Sequence, residues 1–392
     1  MVRYLTGLKV LKSQMKNLLE KKEVKVLSSI TKNQVKIFNK LKNNSKAIKL
    51  DPINKKKLSY PKSLYPSKNC PLEWWYFTGH LKSDKERFGF EFCIFKFHPQ
   101  EMRLGIIPLS LIRKEPFLIT HSAITDKKNK KFISEHKNGL LYKNKIAYDK
   151  IKLEMNNSSL ILDEKKFKFK IKSKNINLEL KPEKEMIKHF NDGYDVLYSP
   201  PNHKTYYLSF TRLKTIGSIK LGSKTFEVTG SSWFDHQKMS MHRNSSLVGW
   251  DWFSIIFEDN TELMFILMKD KNGFNSKFHK GTYIDENSNL VNLKSNDVNL
   301  KVMSKWKSPK TDVIYPSSWI MEIPKLKLKL KIKPYVDNQE IESRFTTILS
   351  YWEGACKVNG TKNNKKIKGE SYVELVGYDT RFITNLIQAS TK

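Results

Sequence analysis

At 392 residues, 39% hydrophobic and 12% aromatic, the chain has room for two to three domains of about 150 residues and the apolar mass to fill them, which excludes a disordered protein. Lys and Arg outnumber Asp and Glu by 72 to 39, a net charge of +33, yet only eight of the 72 are Arg. The guanidinium fork is the favoured reader of phosphate and base edges, so nucleic acid is disfavoured and attraction to anionic surfaces in general is the broader reading.

Residues 1 to about 50 stand apart. Thirteen Lys and Arg face only Glu20 and Glu23 there, a local balance of +11. Leu8, Leu11, Met15 and Leu18 recur at helical spacing, which predicts a basic amphipathic helix around residues 5 to 23. Such a helix can lie on an anionic membrane; the alternative is a solvated extension resting on the body. Lys9, Lys12 and Lys16 interrupt any secretory signal core. No run approaches the ~18 apolar residues of a spanning helix. A cytoplasmic or peripheral membrane protein is the expectation.

From about residue 60 the texture is that of strands. Short apolar runs (Phe88 to Phe97, Tyr206 to Phe210, Trp252 to Phe257, Leu263 to Met268) are separated by Gly, Asn, Asp or Ser clusters. Phe167, Phe169 and Ile171 alternate with Lys, and Lys325 to Lys333 alternates strictly, as a pleated strand with one dry face requires. Asp192-Gly193 and Asn359-Gly360 read as turns. With no helix–strand alternation, a parallel α/β sheet is excluded and the body is antiparallel β, long enough for two barrels or sandwiches. Cys70, Cys93 and Cys356 are too scattered for a zinc site or a disulfide framework.

Six of the eight tryptophans fall in three short acidic segments: Leu72 to His80, Gly230 to Gln237 with Gly249 to Phe253, and Tyr351 to Gly354, the last echoed by Tyr372 to Tyr378. On a strand, Glu73 and Trp75 share one face while Trp74 takes the other, and Asp251 opposes Trp250 and Trp252. If Glu73 and Asp251 point into a ring-lined lumen, desolvation raises their pKa and keeps them protonated. The alternative is a structural acid bonding an indole N–H in a plugged barrel end. Asp235 and His236 could supply a base and its neighbour, but only where a loop brings adjacent side chains together. His80, His121 and His236 lack metal-ligand spacing, so no metal is assigned. A phosphate loop, a dinucleotide turn and a nucleophile elbow are all missing from the sequence, and no cofactor is assigned.

These segments resemble the signatures of the carotenoid 1,2-hydratase and AttH-like family. Glu73 to Leu81 matches its EWWYxTGHL segment, and His121, Ala123 and Asp126 match HxAxxD. Gly230, Trp233, Asp235, His236 and Ser240 follow GxxWxDHEWS, and GWDWF is intact from Gly249 to Phe253. Trp306 to Trp319, Asn338 to Glu340, YWEGA at Tyr351 to Ala355 and Tyr372 to Tyr378 continue the match in order. The chain departs from the pattern at Gln237, where the family has Glu, and at Lys238-Met239 before Ser240.

The resemblance implies an all-β fold of two consecutive lipocalin-like antiparallel β-barrel domains, residues 56–244 and 245–385, behind a basic, partly helical extension at 1–55. For its characterised branch it implies cofactor-independent addition of water to the terminal double bond of an apolar isoprenoid. Such chemistry needs a desolvated acid, and a carbocation stabilised by ring faces at about 2 kcal/mol or more. On this basis Asp251 is expected as the leading proton donor and Asp235 with His236 as the water-handling pair, with Glu73 and Glu353 as further candidates. Trp74, Tyr76, Trp233, Trp250, Trp252, Tyr351 and Trp352 are the expected walls. The competing reading is a non-catalytic binder or carrier of lipid, isoprenoid or pigment. Partners are therefore an apolar small molecule and, through residues 1–50, an anionic membrane.

Overall fold

The computed structural model describes residues 50–379, apart from 105–106, 112, 141, 241–244 and 344–348. The amino-terminal helix expected at residues 5 to 23, and any membrane contact through residues 1–50, lie outside the described residues. Two large antiparallel sheets make up the body. Among the described residues the first holds thirteen strands between Leu72 and Met239, and the second eleven between Leu247 and Leu375. In the first, Leu72–Ser83 lies between Glu86–Phe97 and Lys224–Met239, which pairs in turn with the long His203–Leu221 strand. In the second, Leu247–Phe257 pairs with Lys365–Leu375, and that strand with Leu349–Lys362. No described helix is long and apolar enough to cross a membrane.

Each sheet curls on itself. Ile133 near one edge of the first and Ile146 at its other edge pack on one cluster with Trp75, Phe77, Phe90 and Phe234. In the second, Val291 and Leu300 from opposite edges meet Phe253, Trp319 and Trp352. Each fully buried ring of this size contributes roughly 2–3 kcal/mol. The two hollows are therefore filled by their own side chains, and the ring-lined lumen expected from the sequence is a packed core in both sheets.

A third apolar cluster, with Tyr76, Cys93, Tyr207, Trp233, Trp252, Met264 and Tyr372, draws on both sheets. It lies where their other faces meet. Around it run charged ties between the sheets. Glu262 accepts from Arg212 Nε at 2.7 Å and Lys184 Nζ at 2.9 Å, Glu370 accepts from Lys127 at 2.9 Å, and Lys280 bonds Asp195.

Three strand-level expectations change, the first at Phe167, which sits at φ 54° in the turn before the strand Lys168–Lys172. The alternating Lys325 to Lys333 run opens with a 3-10 turn at Pro324–Leu326 and left-handed Lys327 at φ 47°, so the strand is Leu328–Pro334. Leu328, Leu330 and Ile332 are its buried face. Asn359-Gly360 is not a turn but lies inside Leu349–Lys362, opposite Lys331 and Leu330. A Cβ on Gly360 would meet the Lys329 carbonyl at 2.1 Å, so glycine serves close strand approach there. The reversal comes instead at Asn363 and Asn364, both at positive φ. Asp192-Gly193 does turn, with φ 52° and 84°.

The segment before the first strand seals the first sheet's core. Ile53, Leu58 and Leu64 are buried in it, and a polar latch anchors their backbone. Trp75 Nε1 donates to Leu64 O at 2.9 Å. Glu73 Oε1 accepts from Ser67 N at 2.8 Å and pairs with Lys96 at 3.1 Å, while Lys238 donates to Tyr65 O and Ser67 Oγ. Glu73 and Lys96 are both fully buried. Removing one partner strands the other as an uncompensated charge, typically a loss of about 3–5 kcal/mol. Glu73→Gln is therefore expected to lower unfolding free energy in urea by about 3 kcal/mol. Pairing it with Lys96→Met is expected to restore at least half of the loss.

Candidate active site

Strand register decides which sequence candidates meet. On the first sheet, Tyr76 lies opposite Asp235 on one side and Cys93 on the other. Cys93 in turn lies opposite His121, and Asp235 opposite Ser209. Side chains in such a row share a face, so Ser209, Asp235, Tyr76, Cys93 and His121 form one line against the second sheet. One row along stand Trp233, Thr78 and Glu91, and on the other side Gln237, Trp74 and Phe95. The second sheet answers with Trp252, Glu374 and Glu353 in a single row, flanked by Trp250, Tyr351 and Tyr372.

Four carboxyl groups are thus enclosed between the sheets. Asp235 is held by three donors: Tyr207 OH at 2.6 Å, Trp233 Nε1 at 2.6 Å and Ser209 Oγ. Trp252 Nε1 in turn donates to Tyr207 OH at 2.8 Å. Burial still pushes the Asp235 carboxyl up to about 7 against the pull of those donors. Glu374 accepts from Trp250 Nε1 at 2.8 Å, and burial, with the nearby Asp235 charge, puts it at about 7. Glu353 Oε2 accepts from Tyr76 OH at 2.8 Å, while its Oε1 has no partner.

Neither oxygen of Glu91 has a partner. Glu91 and Glu353 are both fully buried, and desolvation raises both well above the usual carboxylate range. The Glu374 charge adds to this in both, and Glu91 adds to it in Glu353. Among the described residues no lysine, arginine or histidine pairs with any of the four. Glu91 and Glu353, so placed, stay protonated near neutrality, while Asp235 and Glu374 titrate around it.

The rings of this chamber are ordered. Tyr76 and Trp252 meet edge to face at 5.4 Å, as do Trp233 and Trp252 at 6.2 Å. Trp74, Phe95, Phe97 and Trp250 form a half-buried aromatic fringe on the same cluster. His121 shares a hydrogen bond with Tyr351 OH, and its Nε2 is buried without a partner. Burial drops the His121 imidazole to about 3, so it is neutral.

Of the expected site residues, Asp235, Glu353, Trp74, Tyr76, Trp233, Trp250, Trp252 and Tyr351 come together here. Asp251 does not. It sits on the opposite face of its strand, paired with Lys269 at 2.8 Å and hydrogen-bonded by Tyr378. Burial pushes its carboxyl up and Lys269 pulls it back. His236 and Asp235 are not a pair either, because Lys224–Met239 is an unbroken strand that sends them to opposite faces. His236 stacks on Trp75 at 4.8 Å inside the first sheet and donates Nδ1–H to Trp74 O. Glu73 belongs to the latch, and Trp352 to the second sheet's core, where Nε1 donates to Asp337 O at 2.7 Å.

Sequence reasoning missed Glu91, Glu374 as a site acid and Tyr207, and it singled out His121 without giving it a place in the site. The available signal for Glu91 was a lone acid in the Phe88 to Phe97 run, in step with Cys93 and Phe95. Among the described residues no three His, Cys, Asp or Glu side chains are grouped to hold a metal ion.

The AttH-like family model matches residues 51–378. Kievitone hydratase of Fusarium solani subsp. phaseoli is 25% identical over 185 residues, 44% of this chain and 49% of that protein, so the alignment spans about half of the relative's length. A candidate AttH protein from Nitrosomonas europaea has a crystal structure similar at TM-score 0.71 and 22% identity, over 84% of this chain and 100% of that one. The crystal structure of kievitone hydratase from Nectria haematococca is similar at TM-score 0.65 and 13% identity, over 82% and 93%. At these identities the structural likeness establishes the fold.

Glu374 offers a clean test of the protonated chamber. Its native pKa of about 7 exceeds the ordinary 4.5, so the native state holds a proton that the unfolded state has released. Native stability therefore falls as pH rises from about 4.5 to 7 and then levels. Glu374→Gln keeps the acceptor for Trp250 and removes the titration. Relative to wild type, it is expected to be stabilised on the order of 2 kcal/mol at pH 8, allowing for partial exposure, and near-neutral at pH 4.5. Urea unfolding across that range measures it.

Proposed function

The chain belongs to the AttH-like family, and from there we propose that it is a cofactor-independent hydratase. It adds water to a carbon–carbon double bond of an apolar, isoprenoid-type substrate by proton-initiated chemistry. One observation carries this reading: Glu91 and Glu353 are fully buried, with three of their four oxygens unpartnered and, among the described residues, no cation paired with them. A fold gains nothing from such groups, since burying an unsatisfied polar atom costs roughly 1–3 kcal/mol. A carrier for neutral isoprenoids gains nothing either. An acid that must still carry its proton at neutral pH requires this environment.

In the mechanism, Glu353 gives its Oε1 proton to the alkene, with Tyr76 holding the other oxygen. A tertiary carbocation results on the far carbon. The faces of Tyr76, Trp233 and Trp252 stabilise it by about 2 kcal/mol or more, and none of these rings is a ready nucleophile. Glu91 and Glu374 keep the local pKa high before the transfer. Asp235, fixed by three donors, supplies the negative end that the cation faces. The half-buried fringe of Trp74, Phe95, Phe97 and Trp250 suits entry of a long apolar chain. The relative named kievitone hydratase adds weight to the reaction class.

Incubating the full chain with lycopene or neurosporene in heavy-oxygen water is expected to give a product heavier by one labelled water. Glu353→Gln should lower kcat by about 10²–10⁴ with KM nearly unchanged, the range typical of a lost general acid. If extracts of the purified chain yield bound pigment or lipid, and no labelled product forms, the protein is a carrier and the hydratase reading fails.

A further inference from the structure

Resting on the hydratase reading, we propose that His121 binds the attacking water at Nε2 and takes its proton, held in place for this by Tyr351. The sequence pairing of Asp235 with His236 cannot serve, because those side chains occupy opposite faces of one strand. His121 stands on the face that carries the carboxyls. Its strand Phe117–Asp126 places it opposite Cys93, which lies opposite Tyr76, so it is two positions along the row from the phenol that holds Glu353.

The surroundings fix the ring. Tyr351 bonds Nδ1 and lies nearly parallel at 5.5 Å and 28°, while Phe95 meets it edge-on at 5.3 Å. Nε2 is buried and has no protein partner. A buried imidazole nitrogen of that kind ordinarily holds a water or a ligand atom. Tyr351 and Glu353 lie two residues apart on one strand, and so on one face of it. Water at Nε2 would therefore stand beyond Tyr76 from Asp235, at the end of the row Asp235, Tyr76, Cys93, His121.

The step balances as follows. Glu353 has become a carboxylate by protonating the alkene. The water oxygen forms the new C–O bond and its proton goes to Nε2, giving an imidazolium. That proton returns to the carboxylate as product leaves, so alkene plus water has become alcohol. For Nε2 to accept, the neutral ring must keep its hydrogen on Nδ1 and donate it to the Tyr351 oxygen.

Two measurements test this. In the full chain labelled with nitrogen-15 at histidine, the His121 signals are expected to show hydrogen on Nδ1 and a bare Nε2. A proton fixed on Nε2 would overturn the proposal, whatever the substrate. In heavy-hydrogen water with lycopene, His121→Phe is expected to lose water addition at least 100-fold while deuterium still enters the recovered alkene. Tyr351→Phe should lower kcat about 10-fold with KM unchanged. Hydration at the wild-type rate in His121→Phe overturns the role. Loss of deuterium uptake along with hydration, in a variant whose unfolding midpoint is unchanged, overturns it too. Wild-type protein that takes up no deuterium at all sinks the hydratase reading itself, which is a different result.

Discussion

Two sheets press their outer faces together around four carboxyl groups, and among the described residues no positive charge pairs with any of them. The rest of the molecule is arranged around that exclusion. A chain with 72 Lys and Arg does not lack cations, so their absence from the centre is a matter of placement. They stand at the margins of the contact, where Arg212 and Lys184 hold Glu262, Lys127 holds Glu370 and Lys280 holds Asp195. The rim ties close the sheets tightly enough to dry the middle. The dry middle keeps Glu91 and Glu353 protonated. A lysine moved inward would ionise the carboxyl beside it and remove the proton donor that the proposed mechanism requires.

The same exclusion explains the second half of the architecture. Each curled sheet fills its own hollow, so neither can act as a lipocalin-type cup for a ligand. The proposed reaction therefore falls at the join, a place that exists only when both sheets are present. The charged pairs inside the hollows have another task. Glu73 with Lys96 fastens the leading segment over the first core, and Asp251 with Lys269 sits beside Tyr378 near the end of the second. Acids beside tryptophan in the sequence thus divide into two kinds, and only the presence of a cation separates them.

That division marks the limit of what the sequence made legible. Two-residue alternation placed Trp250 and Trp252 opposite Asp251, and Glu73 with Trp75, as the structure has them. It could not say which face meets the other sheet, because both faces of these strands are buried. Leu72–Ser83 is buried along nearly its whole length, so polarity gives no sense of inside and outside. The cations that neutralise Glu73 and Asp251 lie 23 and 18 positions away and become neighbours only through strand pairing. Glu91 was hidden for a related reason: an acid in a phenylalanine-rich run reads as a strand edge until its register against Thr78 is known. Asn359-Gly360 has turn chemistry, yet the close approach of Lys329 gives the glycine a different purpose.

Gln237 shows how finely the number of acids matters. It lies between Trp74 and Tyr207 on the chamber face, two residues from Asp235, and its amide nitrogen has no partner. The family pattern has Glu at this position, which here would add a fifth carboxyl to the join. Each added acid pushes its neighbours further toward the protonated form, and a carboxyl pushed too high becomes a poor donor. An amide keeps the side chain's length, contributes an N–H in place of a charge, and leaves Asp235 and Glu374 at about 7. With Gln237 in place of a further acid, Glu353 is spared one more neighbouring carboxylate that would push its proton still further out of reach in the proposed reaction.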